Sequence, residues 1–244
     1  MSIDTPQELE GMRRAGAAVA ATLRELRRHV RPGVTTGELD ALAASALRRH
    51  GARSAPKLVY DFPGHTCISV GDVAVHGVPG RRVLRAGEVV TLDVTAERDG
   101  FFADAAVTVP VGRVAPRVRR LLVASQAALR SGLDAARAGR PVDAIGTAVQ
   151  GEVHRRGFTV LHELGGHGIG RTIHEPPFVL SVPGATGTLA DGMVIAVEPI
   201  IADGDTEVYE ERDGWTMRTA SGTIAAHAEH TIVVRDGAPL VLTA

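Results

Sequence analysis

Apolar positions fall at helical spacing from the start of the chain. Leu9, Met12, Ala15, Val19, Leu23 and Leu26 recur every three or four residues, which predicts an amphipathic helix. Thr5-Pro6 with Glu8 supplies its start signal, and Pro32-Gly33 ends it. Thr35 or Thr36 then caps a second helix through His50, with Leu39, Leu42, Ala46 and Leu47 on its apolar side and Gly51 as the stop. Between Cys67 and Val109 the pattern changes to short β-branched runs punctuated by Gly, Pro and Asp-Gly, the signature of strands and a hairpin. Helical spacing returns over roughly 117–138 and 142–156, and strand signals return after Gly157.

This order reads as an internal duplication. Gly33 to Gly51 matches Gly139 to Gly157 at an offset of 106, and Gly87–Asp93 (GEVVTLD) matches Gly192–Glu198 (GMVIAVE) at an offset of 105. Each half is helix, helix, strands, with halves of about 1–112 and 113–244. Because each half needs the other to cover its sheet, the expectation is one α+β domain over residues 1–244.

Polar residues break the strand pattern at four places. Asp93 lies in VVTLDV, Asp104 in FFADAAVTV, Glu198 in MVIAVEP and Glu229 in AEHTIVV. Asp is depleted in strands, and an unpaired buried carboxylate is costly. Asp99-Gly100 is a hairpin turn signal, and with it as the loop Asp93 faces Ala106. Asp104 is then the diagonal neighbour of Asp93 on the same face. Like charges so placed repel unless a cation separates them. Divalent metal accounts for all four, and two such ions nearly balance their charge.

The remaining motif, Gly165–Pro177 (GGHGIGRTIHEPP), is neither the helical zinc motif nor a dinucleotide fingerprint. Glycines at 165 and 166 oppose a helix, and prolines follow instead of one. It offers a backbone able to approach a ligand around His167, and a second imidazole at His174. His76 ends a strand before a turn. His29, His50, His65, His154, His162 and His227 lack comparable contexts and are assigned structural or surface roles. His230 follows Glu229 on a strand and so points to the opposite face.

Composition trims the alternatives. A net charge of −1 opposes an electrostatic nucleic-acid binder, and eight aromatics among 244 residues are too few for a base-stacking platform. The single cysteine, Cys67, excludes an intrachain disulfide and a Cys-cluster zinc site. With no signal-peptide pattern and no apolar run long enough to span a bilayer, the expectation is a soluble cytoplasmic protein, monomeric and without a membrane partner.

Taken together, these residues resemble the type I methionine aminopeptidases, which have the pita-bread fold. The resemblance rests on Val75–Pro79 (VHGVP), Leu92–Thr95 (LDVT), Gly100–Asp104 (GFFAD), Gly166–Arg171 (GHGIGR) with His174-Glu175-Pro176, Val197–Pro199, Asp213–Trp215 and Glu229–Val234 (EHTIVV), in the family's order. It implies two divalent ions (Co, Mn, Fe, Zn or Ni) on Asp93, Asp104, His167, Glu198 and Glu229, with Asp104 and Glu229 bridging. A water or hydroxide between the ions is then the nucleophile, Glu198 doubles as proton acceptor, His174 stabilises the tetrahedral state, and His76 contacts the amide of the second residue. The implied substrates are nascent polypeptide N-termini, at the ribosome, with methionine first and a small uncharged residue second. Phe62, Cys67 and Trp215 align with the family's methionine pocket, while Val59 and Ile173 stand where the family usually has aromatics.

Three other readings compete. A proline-type peptidase of the same fold commonly carries an additional N-terminal domain, a non-catalytic binding module would have lost ligands, and a metal store would not need His76 and His174.

Overall fold

The computed structural model describes residues 1–204 and 207–244. Helix α1 (Pro6–His29) opens on Thr5, whose hydroxyl accepts the Glu8 N–H while the Glu8 carboxylate accepts the Thr5 N–H. Helix α2 (Thr36–Arg49) repeats this capping box with Thr35 and Glu38, so Thr35 is the cap. Strand β1 (Arg53–Ser54) leads into α3 (Ala55–Tyr60), a six-residue helix that the apolar pattern does not announce. Then come β2 (Cys67–Val70), β3 (Val73–Val75), β4 (Val89–Arg98) and β5 (Phe101–Pro110).

The second half repeats the plan with α4 (Pro116–Ala135) and α5 (Asp143–Arg155), followed by β6 (Thr159–Val160), β7 (Gly165–Gly168) and β8 (Glu175–Leu180). It continues through β9 (Val194–Val197), β10 (Ile200–Ala202), β11 (Val208–Glu210) and β12 (Met217–Thr219). It closes with β13 (Ala225–His227), β14 (His230–Val233) and β15 (Leu240–Val241). The segment around His167, whose glycines oppose a helix, is thus a strand.

One sheet has the order β1-β4-β2 with β5 also on β4, and another runs β15-β14-β9-β7-β8. Smaller three-stranded sheets, β13-β10-β6 and β11-β12-β3, join them. Each helical pair covers its own sheet. Met12, Leu26, Leu39 and Leu47 of α1 and α2 share a buried cluster with Leu92, Val94, Ala103 and Ala105. Leu121, Leu129, Ile145 and Val149 of α4 and α5 do the same with Ile195, Val197 and Ile232.

The sheets meet along β5. The Thr231 hydroxyl accepts the Asp104 N–H at 2.8 Å and donates to the Asp104 carbonyl at 2.7 Å. Two residues along, the Glu229 N–H donates to the Ala106 carbonyl at 2.9 Å. These bonds seat an acidic strand of one half beside an acidic strand of the other, and the functional cavity opens over that seam.

Candidate metal centre

The β4–β5 hairpin has the register read from its turn: Asp93 pairs with Ala106 and Thr95 with Asp104. Asp93 also faces Cys67 of β2. Glu198 follows the last residue of β9, and Glu229 lies between β13 and β14. His167 sits in β7, held between β8 and β9. Only glycine fits beside it: a Cβ on Gly166 would overlap the Ala196 carbonyl oxygen, and one on Gly168 would overlap that of Pro176.

These side chains converge at the floor of a cavity of about 420 Å³. Asp104, His167 and Glu229 are buried, while Asp93 and Glu198 keep a small exposed area toward the cavity. Ligand-capable atoms of Asp104, His167 and Glu229 all lie within 4.8 Å of one another. The Thr95 hydroxyl donates to Asp104 Oδ2 at 2.7 Å, yet Asp104 Oδ1 and Glu229 Oε1 have no hydrogen-bond partner. Carboxylate oxygens buried and unpartnered among other carboxylates are what a divalent cation would satisfy. The residues present therefore fit such an ion.

The electrostatics agree. Burial pushes the Asp93, Glu198 and Glu229 carboxyls well above the usual carboxylate range, and the neighbouring Asp104 charge adds to each. Asp104 is also raised by burial, partly opposed by the Thr95 hydrogen bond. Desolvation by the surrounding walls lowers His76 and His167 to about 4, so both are neutral at pH 7 with a lone pair available. It also lowers His174 and raises the Cys67 thiol, which the Asp93 charge raises further.

The cavity walls hold the other expected residues. His76 and His174 line it, as do Phe62, Cys67 and Trp215. The Phe62 and Trp215 rings meet edge to face at 5.1 Å. His76 adopts a left-handed backbone conformation, φ 55°, at the bend that turns it toward the cavity. The His174 ring packs against that of His167, with centroids 4.2 Å apart.

Two expectations need correction. Val59 is partly exposed and does not line the cavity, whereas its neighbour Tyr60 does, with its hydroxyl 2.6 Å from His174 Nδ1. One wall position is therefore aromatic after all, while Ile173 does line the cavity as an aliphatic residue. The second correction is His227, assigned above a structural or surface role. Its side chain is 2% exposed, and its Nε2 lies 3.3 Å from Glu198 Oε2 and 3.6 Å from Glu229 Oε2. The signal was available: His227 is two residues before Glu229, and alternate residues of a strand share a face. His230 is indeed turned away, its Nδ1 2.9 Å from the Thr243 hydroxyl.

Duplicated helix-and-sheet halves closing over a cage of acids and imidazoles constitute the pita-bread fold. The chain belongs to metallopeptidase family M24, which it matches over residues 10–236. It is 40% identical to methionine aminopeptidase 2 of Bacillus subtilis, over all of this chain and 99% of that relative. The methionine aminopeptidase of Aquifex aeolicus is 36% identical over 97% of this chain and 96% of its own. The crystal structure of a methionine aminopeptidase from Thermotoga maritima superposes with a TM-score of 0.96 at 35% identity, covering 100% of this chain and 99% of that one. A Xaa-Pro dipeptidase from Bacillus anthracis shares the fold, with a TM-score of 0.80 at 22% identity, but this chain covers only 61% of it.

Proposed function

We propose that this chain is a metal-dependent exopeptidase that removes the N-terminal methionine from polypeptides, preferring those with a small uncharged second residue. The observation that carries the reading is the cluster of buried, partly unpartnered carboxylates at the floor of a cavity walled by Phe62, Cys67 and Trp215. Residues 1–244 act as one catalytic domain, because the acids come from both halves and meet only across the β5 seam. The cytoplasm, where nascent chains emerge from the ribosome, is the matching setting, and the chain acts there as a monomer. None of the helices among the described residues is long and apolar enough to cross a membrane.

Asp93, Asp104, His167, Glu198 and Glu229 would hold two divalent ions. When bound, such ions supply Lewis acidity and a water acidic enough to attack an amide near neutral pH. The side chains around them do the rest. The free amine of the substrate is drawn toward the acids, and its first side chain enters the wall of Phe62, Cys67, Ile173 and Trp215. A flexible thioether suits that apolar wall with a thiol in it.

His174 then has a defined task. The Tyr60 phenol, raised by desolvation and protonated at neutral pH, is placed to donate to His174 Nδ1 in the tautomer that catalysis needs. That leaves the imidazole proton on Nε2, available to donate to the carbonyl oxygen as negative charge develops there. Glu198, ionised once cations offset the neighbouring charges, accepts a proton during attack. His76 binds the amide of the second residue.

The test is a panel of peptides with free N-termini and varied first and second residues, assayed with several divalent metals. Met-Ala and Met-Gly substrates are expected to lead. Faster turnover of peptides with another first residue, or with proline second, would overturn the specificity.

A further inference from the structure

The position of His227 goes beyond the five ligands named above. Hydrogen bonds between nitrogen and oxygen fall at about 2.7–3.2 Å, and His227 Nε2 is outside that range from both neighbouring carboxylates, at 3.3 Å and 3.6 Å. Two donor atoms each about 2.0–2.2 Å from one ion, by contrast, lie roughly 2.8–3.6 Å apart for octahedral to tetrahedral angles. His167 Nε2, already placed in the ligand set, shows the same spacing to Glu198, 3.4 Å. His227 Nε2 therefore stands to Glu198 and Glu229 as one ligand stands to another.

Three further observations support this. His227 Nε2 has no hydrogen-bond partner among the described residues although the side chain is 2% exposed. Ligand-capable atoms of Glu198, His227 and Glu229 lie within 4.8 Å of one another, a second such group beside that of Asp104, His167 and Glu229. The backbone is also clamped in place, since the His227 N–H donates to the Thr108 hydroxyl at 2.7 Å, and that hydroxyl donates to the His227 carbonyl at 2.9 Å. Such anchoring on β5 fixes the backbone from which the ring projects.

We propose that His227 is an additional metal ligand, joining Glu198 and Glu229 on one divalent ion and giving the centre a second imidazole beside His167. The proposal rests on the reading that this cage holds divalent metal. Imidazole favours Co, Ni, Fe and Zn over Mn and Mg, which prefer carboxylate and water. The second imidazole thus biases this chain toward the more nitrogen-loving ions.

The test uses the full chain and Co(II) or Mn(II) alone. X-ray absorption of the Co-loaded protein should show imidazole scattering that is halved in His227→Gln. Calorimetric titration should show Co(II) affinity falling about 10- to 100-fold in that variant, with a smaller loss for Mn(II). A second variant, His227→Cys, should bring a thiolate-to-cobalt charge-transfer band absent from the parent, a signature that a merely structural position would not produce. Unchanged imidazole scattering and affinity in His227→Gln, or no new band in a folded, Co-binding His227→Cys, would overturn the assignment while leaving the metal cage standing. Failure of the parent chain to bind either ion would overturn both.

Discussion

Asp104→Asn separates the charge of the cage from its shape. In metal-free protein, Asp104 and Glu229 present oxygens no more than 4.8 Å apart. Once both are ionised, two unit charges at that distance repel by about 3.5 kcal/mol at the effective dielectric of 20 that describes protein sites. Asparagine removes one charge at nearly constant volume and can still accept the Thr95 hydroxyl, although that bond loses about 1 kcal/mol by becoming neutral. The metal-free variant should therefore be more stable than the parent by about 2 kcal/mol, or roughly 4–8 °C in Tm for a chain of this size. With metal the order reverses. Free Mn(II) at 100 times its Kd stabilises the parent by about 2.7 kcal/mol, and the variant, short of a ligand, gains little. The pH dependence has a fixed sign. Carboxyls raised above their unfolded values of about 4 contribute stability that is complete below that pH and lost as pH rises through the folded values. The advantage of the variant is thus small at pH 4.5 and grows toward pH 7.5. His76 and His167, lowered to about 4, act in the opposite sense but are present in both proteins, so they subtract in the difference. Thermal unfolding by circular dichroism, in chelator and then in Mn(II), measures all of this. An Asn variant less stable than the parent in chelator at pH 7.5 would refute the charge argument.

Other expected outcomes need less development. Exhaustive chelation should abolish peptidase activity and added Mn, Co or Fe should restore it; activity surviving chelation would refute the metal cage. His174→Ala should retain the metal content of the parent, measured by elemental analysis, while turnover falls about 100-fold or more; metal loss in parallel with activity would make His174 a ligand. Tyr60→Phe should lower kcat up to about tenfold, the scale of one hydrogen bond, with KM little changed; a loss confined to KM would show that Tyr60 serves only as a wall. Gly166→Ala drives a methyl into the Ala196 carbonyl and should destabilise the fold by about 3 kcal/mol or more, read as a lower urea midpoint.

Much of this was legible in the chain itself, for reasons that also mark the limits. The four long helices carry sustained apolar periodicity, two of them with capping boxes, and the Asp-Gly turn set the register of a hairpin with ten residues in each strand. Helix α3 escaped because six residues cannot show a helical period, and so short a helix persists only through tertiary packing. That omission displaced the pocket wall by one residue, from Tyr60 to Val59. Asp93 and Asp104 could be paired on paper because they share a hairpin. Their meeting with Glu198 and Glu229 depends on the bonds between Thr231 and Asp104, 127 residues apart, for which no local signal exists. His227 is different, since the alternation that set His230 aside also puts His227 on the face of Glu229.

Where the chain breaks the rules of a well-formed core is itself evidence about the site. Among the described residues, five buried side-chain polar atoms lack a partner, and four of them belong to Asp104, Glu229 and His227. Three non-glycine residues among those described have positive φ. Asp61 caps α3 and Asp99 forms the hairpin turn, where short polar side chains tolerate that conformation. His76 has no such local excuse and faces the cavity. Unpaired buried groups and left-handed backbone each cost on the order of 1–3 kcal/mol. They persist only if the surrounding structure holds them in place, and here consistent helices and strands do so on both sides of the seam. Random imperfection would scatter such costs through both cores. Their concentration around one cavity argues that a ligand relieves them, and cations are the ligands that satisfy carboxylate oxygens and a neutral imidazole nitrogen together.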